Sequence, residues 1–391
     1  MAKLKRVLRG DPYIWGIVIL LSLIGTLAVY SSSVNLAFIK HDGNTEFYFL
    51  RHFIFLLIGL FLLFLFHLVN YKWFSRPAQL LIWVAIALLV LTIFVGSEIN
   101  NASRVLPIPG LGITFQTSDF AKLALVLYIA RYLSKNQKDV QQFKVLRHVL
   151  LVIGIVVALI APENLSTALV VFFTCLFLLY IGRINFKYLA LLGICCITVV
   201  VISFTALLNM DVSKYQESRI PTWKKRVETF MGMSEEDDNY QQMQSKIAVA
   251  TGGLFGKGPG NSTQRNYLPH PYSDFIFAII MEEYGWIGGA TVIGCFLLLI
   301  IRCFKIVLKA PKAFGALAAL GLGFSMSFQA FVNMAVAVGI VPVTGLTIPL
   351  VSMGGTSLVF NSIAFGIILS VSRSVEEGDS LNDVKKNHEL A

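Results

Sequence analysis

The sequence predicts an all-α, polytopic integral membrane protein with about ten transmembrane helices and one large extracytoplasmic loop. Three observations predict it. Hydrophobic residues make up 56% of the 391 and charged residues only 14%, against about 25% charged in a soluble domain. The apolar residues gather into runs long enough to cross a bilayer, which takes ~20 residues per helix. Lys and Arg are divided unequally between alternating connections, as they are in membrane proteins. The first observation alone excludes the soluble domains that this length would otherwise suggest.

The apolar runs fall at about 13–33, 49–70, 78–97, 117–133, 147–162, 166–182, 185–208, 274–302, 313–340 and 349–373. The first follows Lys3, Lys5, Arg6 and Arg9, like the charged start of a signal peptide. Its apolar core is too long for one and no small-residue cleavage site follows, so it reads as an uncleaved helix. With the N-terminus inside, 20 Lys and Arg fall on the cytoplasmic side and three, Lys40, Arg51 and Arg104, in short outside segments. That bias puts both termini, about 1–12 and 374–391, in the cytoplasm. The connection at about 209–273 is too long for the rule to weigh, and it lies outside. Long connections of this kind are usually functional. The whole chain, 1–391, reads as a single membrane domain. No repeat relates its first five spans to its last five, which speaks against repeat-built transporter folds.

The net charge of +10 records sidedness rather than a nucleic-acid partner, for no aromatic-plus-basic reader motif is present. The five cysteines, Cys175, Cys195, Cys196, Cys295 and Cys303, lie in or beside apolar runs without disulfide or metal spacing, and read as small packing residues.

Candidate chemistry concentrates at the outer ends of the spans. The long loop ends in Gly252-Gly253-Leu254-Phe255-Gly256-Lys257-Gly258-Pro259-Gly260-Asn261-Ser262. Five glycines in nine residues let a backbone approach a ligand closely, and with Lys257 they read either as a tight surface turn or as an anion nest for a diphosphate. The spacing is not that of a nucleotide P-loop. Next, Pro269 and Pro271 stop any helix before Ser273. Ser273 or Asp274 then reads as the cap of a new helix. Asp274 also reads as a general base at the mouth of the membrane domain, since burial near lipid raises a carboxylate's proton affinity. Glu282 and Glu283, two turns further on, should face protein or water. In Phe115-Gln116-Thr117-Ser118-Asp119-Phe120-Ala121-Lys122, Ser118 reads as a cap and Asp119 and Lys122 as a pair on one helical face. Lys122 and Arg104 are alternatively holders of an anionic headgroup. Glu163 is the acid of a hairpin between two spans, after Pro162 and before a capping Ser166. From Asn333 to Gly355, Pro342, Gly345, Pro349, Gly354 and Gly355 break the apolar pattern. Broken helices at membrane depth are tolerated where they are buried in protein or line a cavity.

Taken in order, Arg104 with FQTSDFAKLAL, PENLSTA, YQQMQSKIAVATGGLFGKGPGNS, YLPHPYSDFIFAIIMEEYG and NMAVAVGIVPVTGLTIPLVSMGGTS resemble the SEDS family of membrane glycosyltransferases (shape, elongation, division and sporulation; the FtsW, RodA and SpoVE proteins). The resemblance covers about residues 10–375 and is closest to the division-type, FtsW branch. It implies a bacterial cytoplasmic (inner) membrane enzyme that polymerises lipid II, an undecaprenyl-diphosphate-linked disaccharide peptide, into a linear β-1,4 glycan with inversion and release of undecaprenyl diphosphate. It implies that Asp274 matches the family's essential aspartate. Lys257, Arg226 and Arg104 are then candidates for the diphosphate, and Lys122, Glu163, Gln244 and Ser352 for further substrate contacts. Glu163 and Asp119 each exchange Asp for Glu, or the reverse, relative to the family's usual pattern. The implied partners are a class B penicillin-binding transpeptidase, other division proteins and membrane lipids. No cofactor is implied beyond, at most, a divalent cation. Two other readings of the same chain are a RodA-like elongation polymerase and a lipid II flippase. A third, a non-catalytic activator of the transpeptidase, predicts that Asp274 is dispensable.

Overall fold

A computed structural model describes residues 9–33, 45–98, 103–108, 113–209, 220–231 and 240–389. Lys3, Lys5, Arg6 and Lys40 lie outside them, as do parts of the long loop. The elements in chain order are α1 (Pro12–Ser32), α2 (Thr45–Leu68), the short α3 (Lys72–Ser75), α4 (Ala78–Val95), β1 (Ser97–Glu98), β2 (Ser103–Ile108), β3 (Ile113–Gln116), α5 (Thr117–Lys135), α6 (Phe143–Ile160), α7 (Leu165–Ile181), α8 (Phe186–Asn209), α9 (Ile220–Phe230), α10 (Tyr240–Thr251), α11 (Ile276–Lys309), α12 (Ala313–Ala337) and α13 (Thr356–Glu389). A helix stands at each of the ten predicted spans. Seven are long and apolar enough to cross a membrane: α1, α2, α4, α6, α11, α12 and α13. At 17 residues α7 is shorter, and only Phe186–Cys195 of α8 counts as an apolar stretch.

The third helix below that threshold, α5, carries Asp119, Lys122, Arg131 and Lys135. Its position explains why it tolerates them. Every residue from Ala121 to Ala130 is buried, with α4, α6, α7, α12 and α13 packed around it. A helix enclosed by protein on all sides has no lipid-facing surface, so its charges need only protein partners. The helices α11 and α12 pack along each other, and α13 packs along α2. One continuous apolar core joins them all.

Three features depart from the sequence reading. First, the fold is not purely helical. β1, β2 and β3 form a small antiparallel sheet in that order, with Val105 opposite Gln116 and Leu106 opposite Phe115. Phe115 meets Phe360 of α13 edge-on at 5.4 Å and Phe120 of α5 at 6.2 Å, which seats the hairpin on the bundle. Second, three predicted caps belong to other residues. Gln116, not Ser118, precedes α5. Asn164, not Ser166, caps α7 by accepting from the Thr167 amide at 3.1 Å. α11 begins only at Ile276, after Phe275 and without a side-chain cap, so neither Ser273 nor Asp274 caps it. Third, the described parts of the long loop hold α9, α10 and a short 3₁₀ turn at Gln264–Asn266, elements that the sequence reading did not place. Among the described cysteines, Cys175, Cys295 and Cys303 are buried as expected of packing residues, while Cys195 is exposed.

The helix α11 is broken at Gly285, whose φ is 64°. In an unbroken helix the Glu282 and Glu283 carbonyls would accept from the Trp286 and Ile287 amides. Here the Lys257 and Gly258 amides donate to those carbonyls at 2.9 and 3.0 Å, and the Trp286 and Ile287 amides donate to the Gly253 and Leu254 carbonyls at 3.0 and 3.4 Å. The glycine-rich loop is thus spliced into the helix ladder. Glycine is required because a Cβ on Gly256 would lie 2.2 Å from the Glu283 carbonyl oxygen, and one on Gly285 2.4 Å from the Leu254 carbonyl oxygen. The backbone approaches closely, as its glycines allow, and in this structure it approaches α11.

Gly285→Ala should therefore lower the thermal midpoint of the detergent-solubilised protein strongly. Gly253→Ala also has positive φ but has open space at its Cβ. It should show only the ordinary left-handed cost of about 1–2 kcal/mol. Equal midpoints for the two variants would show that the splice does not constrain the fold.

Candidate functional site

Asp274 stands on the irregular segment that leads into α11 and is half-buried. It is held by the second irregular segment, 338–355, between α12 and α13. The Asn333 side-chain amide donates to the Asp274 carbonyl at 2.9 Å and to the Leu346 carbonyl at 2.5 Å. The Ser352 hydroxyl donates to the Ser273 carbonyl at 2.9 Å and accepts from the Ile348 amide at 2.8 Å. The Met353 amide donates to the Tyr272 carbonyl at 3.0 Å. Each irregular segment thereby supplies hydrogen bonds that the other cannot make for itself. Around the carboxylate, the Ser273 hydroxyl donates to Oδ1 at 3.1 Å, and a Cβ on Gly345 would come within 3.6 Å of Oδ2. That is an ordinary van der Waals distance, so glycine is favoured at 345 by its φ of 75°.

A cavity of about 320 Å³ opens beside this segment, walled by α2, the β-hairpin and the start of α13. Tyr272 and Met353, which bracket Asp274 through their mutual hydrogen bond, line it together with Arg51, His52, Gln116 and Thr356. The Gln116 amide donates to the Thr356 hydroxyl at 3.1 Å, and that hydroxyl in turn donates to the Thr114 carbonyl at 3.2 Å, so the hairpin wall is tied to α13. Arg51 makes no side-chain ion pair or hydrogen bond among the described residues. His52 is 2% exposed, and its Nε2 has no hydrogen-bond partner among them. Burial first, and then the neighbouring Asp274 carboxylate, push the Tyr272 phenol above its usual range. At neutral pH it is therefore a hydrogen-bond donor. The cavity offers one positive charge and several donors, and Asp274, which does not line it, acts on it through the neighbouring Tyr272.

The structure brings Ser352 to Asp274 through the Ser273 carbonyl. It connects Lys122 to the same neighbourhood indirectly. The Lys122 ammonium lies 3.3 Å from Asp119 and donates to Gln329 Oε1 at 2.7 Å, while Gln329 Nε2 donates to the Thr347 carbonyl at 2.7 Å. Lys122 thus braces the segment that holds Asp274. Lys257 has a different assignment. Its ammonium lies 2.6 Å from Glu282, which is fully buried, and also donates to Thr263 at 3.0 Å. Glu282 additionally accepts from Ser262 Oγ, Thr263 N and Oγ1 and Gln264 N at 2.5–3.2 Å. Ser31 donates to the neighbouring Glu283, and Arg265 donates to Ser31 at 3.1 Å. Both carboxylates face protein, as expected, and they anchor the loop over the break in α11. Arg104 lies on β2, next to Val105 in the cavity wall, but its side chain is outside the described residues. Glu163 is buried in the α6–α7 hairpin. Arg226 on α9 and Gln244 on α10 are half-buried. The described residues hold no group of three or more His, Cys, Asp or Glu placed to bind a metal ion.

The sequence counts Arg51 only toward sidedness and does not single out His52. Their signal was legible nonetheless: a cation and an imidazole at the outer end of an apolar span are expensive unless they face protein or water. The hairpin was legible too, in the β-rich stretches on either side of Pro109-Gly110.

A helical bundle in which two broken segments hold a carboxylate beside a basic cavity is a polytopic membrane protein with a buried polar site. The chain belongs to the FtsW/RodA/SpoVE family, described as cell cycle proteins, whose signature matches residues 12–377. It is 35% identical over 365 residues to the stage V sporulation protein E of Bacillus subtilis (strain 168), spanning 91% of this chain and 95% of that protein. It is 33% identical to the probable peptidoglycan glycosyltransferase FtsW of Halomonas elongata, spanning 90% and 87%. Among solved structures it is similar to a chain of a peptidoglycan synthase complex studied for its coordination of polymerization and crosslinking, with TM-score 0.73, 27% identity and 94% and 98% of the two chains covered. It is also similar to the rod shape determining protein RodA of Thermus thermophilus, with TM-score 0.66, 25% identity and coverage of 93% and 97%.

The Lys257–Glu282 contact makes a stability prediction. Lys257→Met leaves a buried carboxylate without its cation and should lower the thermal midpoint. Adding Glu282→Gln to it should recover part of the loss, the sign expected of a desolvated pair. An unchanged midpoint in Lys257→Met would mean that the lysine is available for an anionic ligand instead.

Proposed function

We propose that this chain is a peptidoglycan glycosyltransferase that polymerises lipid II on the outer face of a bacterial cytoplasmic membrane, with Asp274 as the general base. The observation that carries the reading is the half-buried Asp274 carboxylate, close enough to Tyr272 to act on its phenol, with Tyr272 lining a cavity that also contains Arg51. An inverting transfer needs one base for the attacking hydroxyl and positive charge for the leaving diphosphate. Asp274 takes the proton of the acceptor sugar's 4-hydroxyl as its oxygen bonds to the donor's anomeric carbon. The bond from that carbon to the diphosphate oxygen breaks, and the electron pair leaves with undecaprenyl diphosphate. Arg51, assisted by Arg104 from the hairpin, receives the diphosphate charge. Ser352, Asn333 and Lys122 act at one remove, by fixing the segments that position Asp274. Glu163, Arg226 and Gln244 keep the substrate-contact roles that the family resemblance implies. Lys257 acts as an anchor of the loop.

The orientation rests on the 20-to-3 division of Lys and Arg, which puts both termini inside and the Asp274 end of the bundle outside. A division role is supported by relatives named FtsW. Cross-linking falls to a partner, a class B penicillin-binding transpeptidase. That pairing is supported by the likeness to a chain from a synthase complex and by the absence of a Ser-x-x-Lys nucleophile motif from the sequence.

The test is to supply labelled lipid II to the purified chain, with and without its partner, and to resolve polymer on a gel. Wild type should give linear polymer. Asp274→Asn should lose about 10²–10⁴-fold in rate while keeping the wild-type melting midpoint. Polymer at the wild-type rate from Asp274→Asn would remove the base from Asp274. No polymer from the wild type would sink the enzyme reading. Arg51→Gln should lower kcat more than it raises KM, because the charge that it meets develops as the diphosphate leaves. Depletion in cells should give filaments, whereas round cells would assign the chain to elongation.

A further inference from the structure

The helices beside Asp274 run away from it. α11 starts two residues after Asp274 and ends at Lys309, while α12 starts at Ala313 and ends at Ala337, one turn past Asn333. At about 1.5 Å per residue, their far ends lie some 30–50 Å along the bundle from Asp274. At that far end a second cavity, of about 470 Å³, opens between the ends of α5, α7, α11 and α12. Leu133, Val140, Val307 and Leu317 supply apolar walls. Lys138 and Arg183 are exposed at its edge, and no acidic residue lines it. Neither cation makes a side-chain ion pair or hydrogen bond among the described residues.

The backbone at Arg183 adds an independent observation. α7 closes with the Arg183 amide donating to the Tyr180 carbonyl and the Ile184 amide to the Leu179 carbonyl, both at 3.1 Å. This is the double hydrogen bond of a Schellman ending, whose left-handed position is normally glycine. Here that position is Arg183, with φ 65°, although Gly182 stands one residue earlier. An arginine held in a conformation that glycine would adopt without strain is retained at some cost in stability. Strain of this kind is a pointer to function when the side chain concerned faces a site.

We propose that this cavity is a binding site for an anionic phospholipid, with Lys138 and Arg183 on the headgroup phosphate and the apolar walls against the glycerol and upper acyl chain. Two unpaired cations over an apolar cleft at the ends of membrane helices match a lipid that carries negative charge above hydrocarbon. A soluble phosphate compound would leave the walls without a partner. The lipid-linked diphosphate of the proposed reaction would be at the wrong end of the bundle. The site is independent of the glycosyltransferase reading and would survive its failure.

The test uses the full chain in nanodiscs of phosphatidylcholine containing a minor fraction of phosphatidylglycerol with a photoactivatable acyl chain near the headgroup, and maps cross-links by mass spectrometry. Labelling should concentrate on peptides containing Leu133–Val140 and Val307–Leu317, and exceed that from an equally photoactivatable phosphatidylcholine. The Lys138→Gln/Arg183→Gly double variant should lose about tenfold or more of it. Glycine suits the backbone at 183, so this variant should melt at or above the wild-type temperature, which separates lost binding from lost folding. Arg183→Lys should retain most of the labelling. Equal labelling by the two lipids, undiminished labelling in the double variant, or displacement by soluble glycerol phosphate would each overturn the proposal.

Discussion

A helix that stops inside an apolar bundle leaves amides and carbonyls that only protein can satisfy, and the region around Asp274 is arranged to meet that requirement. Two interruptions occur in neighbouring elements: the lead into α11 with its break at Gly285, and the stretch 338–355. Each is resolved by hydrogen bonds to other parts of the chain. The glycine-rich loop is spliced across the Gly285 break, and Asn333, Ser352 and Met353 tie the 338–355 stretch to residues 272–274. Removing either set would expose unpaired backbone in a low-dielectric interior. The site is therefore rigid for reasons of backbone satisfaction, before any catalytic requirement is considered.

The charged residues divide along the same line. Glu282, Glu283, Lys257 and Arg265 anchor the loop, and Asp119, Lys122 and Gln329 brace the segment that holds Asp274. Each of these groups has protein partners. Arg51 stands apart because it lines the first cavity, and Asp274 because it lies beside Tyr272, which lines the same cavity. In a chain with only 14% charged residues, a charge that opens onto a cavity is informative because so few do.

The two ends of the bundle differ in kind. Near Asp274, the walls combine a β-hairpin, irregular backbone and polar side chains, which suits chemistry on a polar headgroup. At the far end, regular helix termini frame an apolar cleft edged with two cations. That contrast follows from the chain path: every interruption of α11 and α12 lies toward Asp274, and their opposite ends terminate conventionally.

Hydropathy and charge in the sequence determined the helical class, the location of the ten helices and the sidedness argument, because those signals depend on residue type summed over ~20 positions. The ordered motifs determined the family, and the Asp274 segment was recognisable as a place where a helix could not continue past Pro269 and Pro271. The tertiary structure alone decided partnership. Glycine spacing shows that a backbone can approach something closely, but not that the something is α11. The sequence could not show that folding places Glu282 beside Lys257, or that Arg51, a marker of sidedness, stands in the wall of a cavity. The caps moved for the same reason: Asn164, Gln116 and Phe275 occupy those positions because the bundle fixes where each helix must begin, and local propensity yields to that packing. Contacts between residues hundreds of positions apart, such as Ser31 with Glu283 or Thr114 with Thr356, leave no local trace in a single sequence, and they are what turn a set of apolar spans into a site.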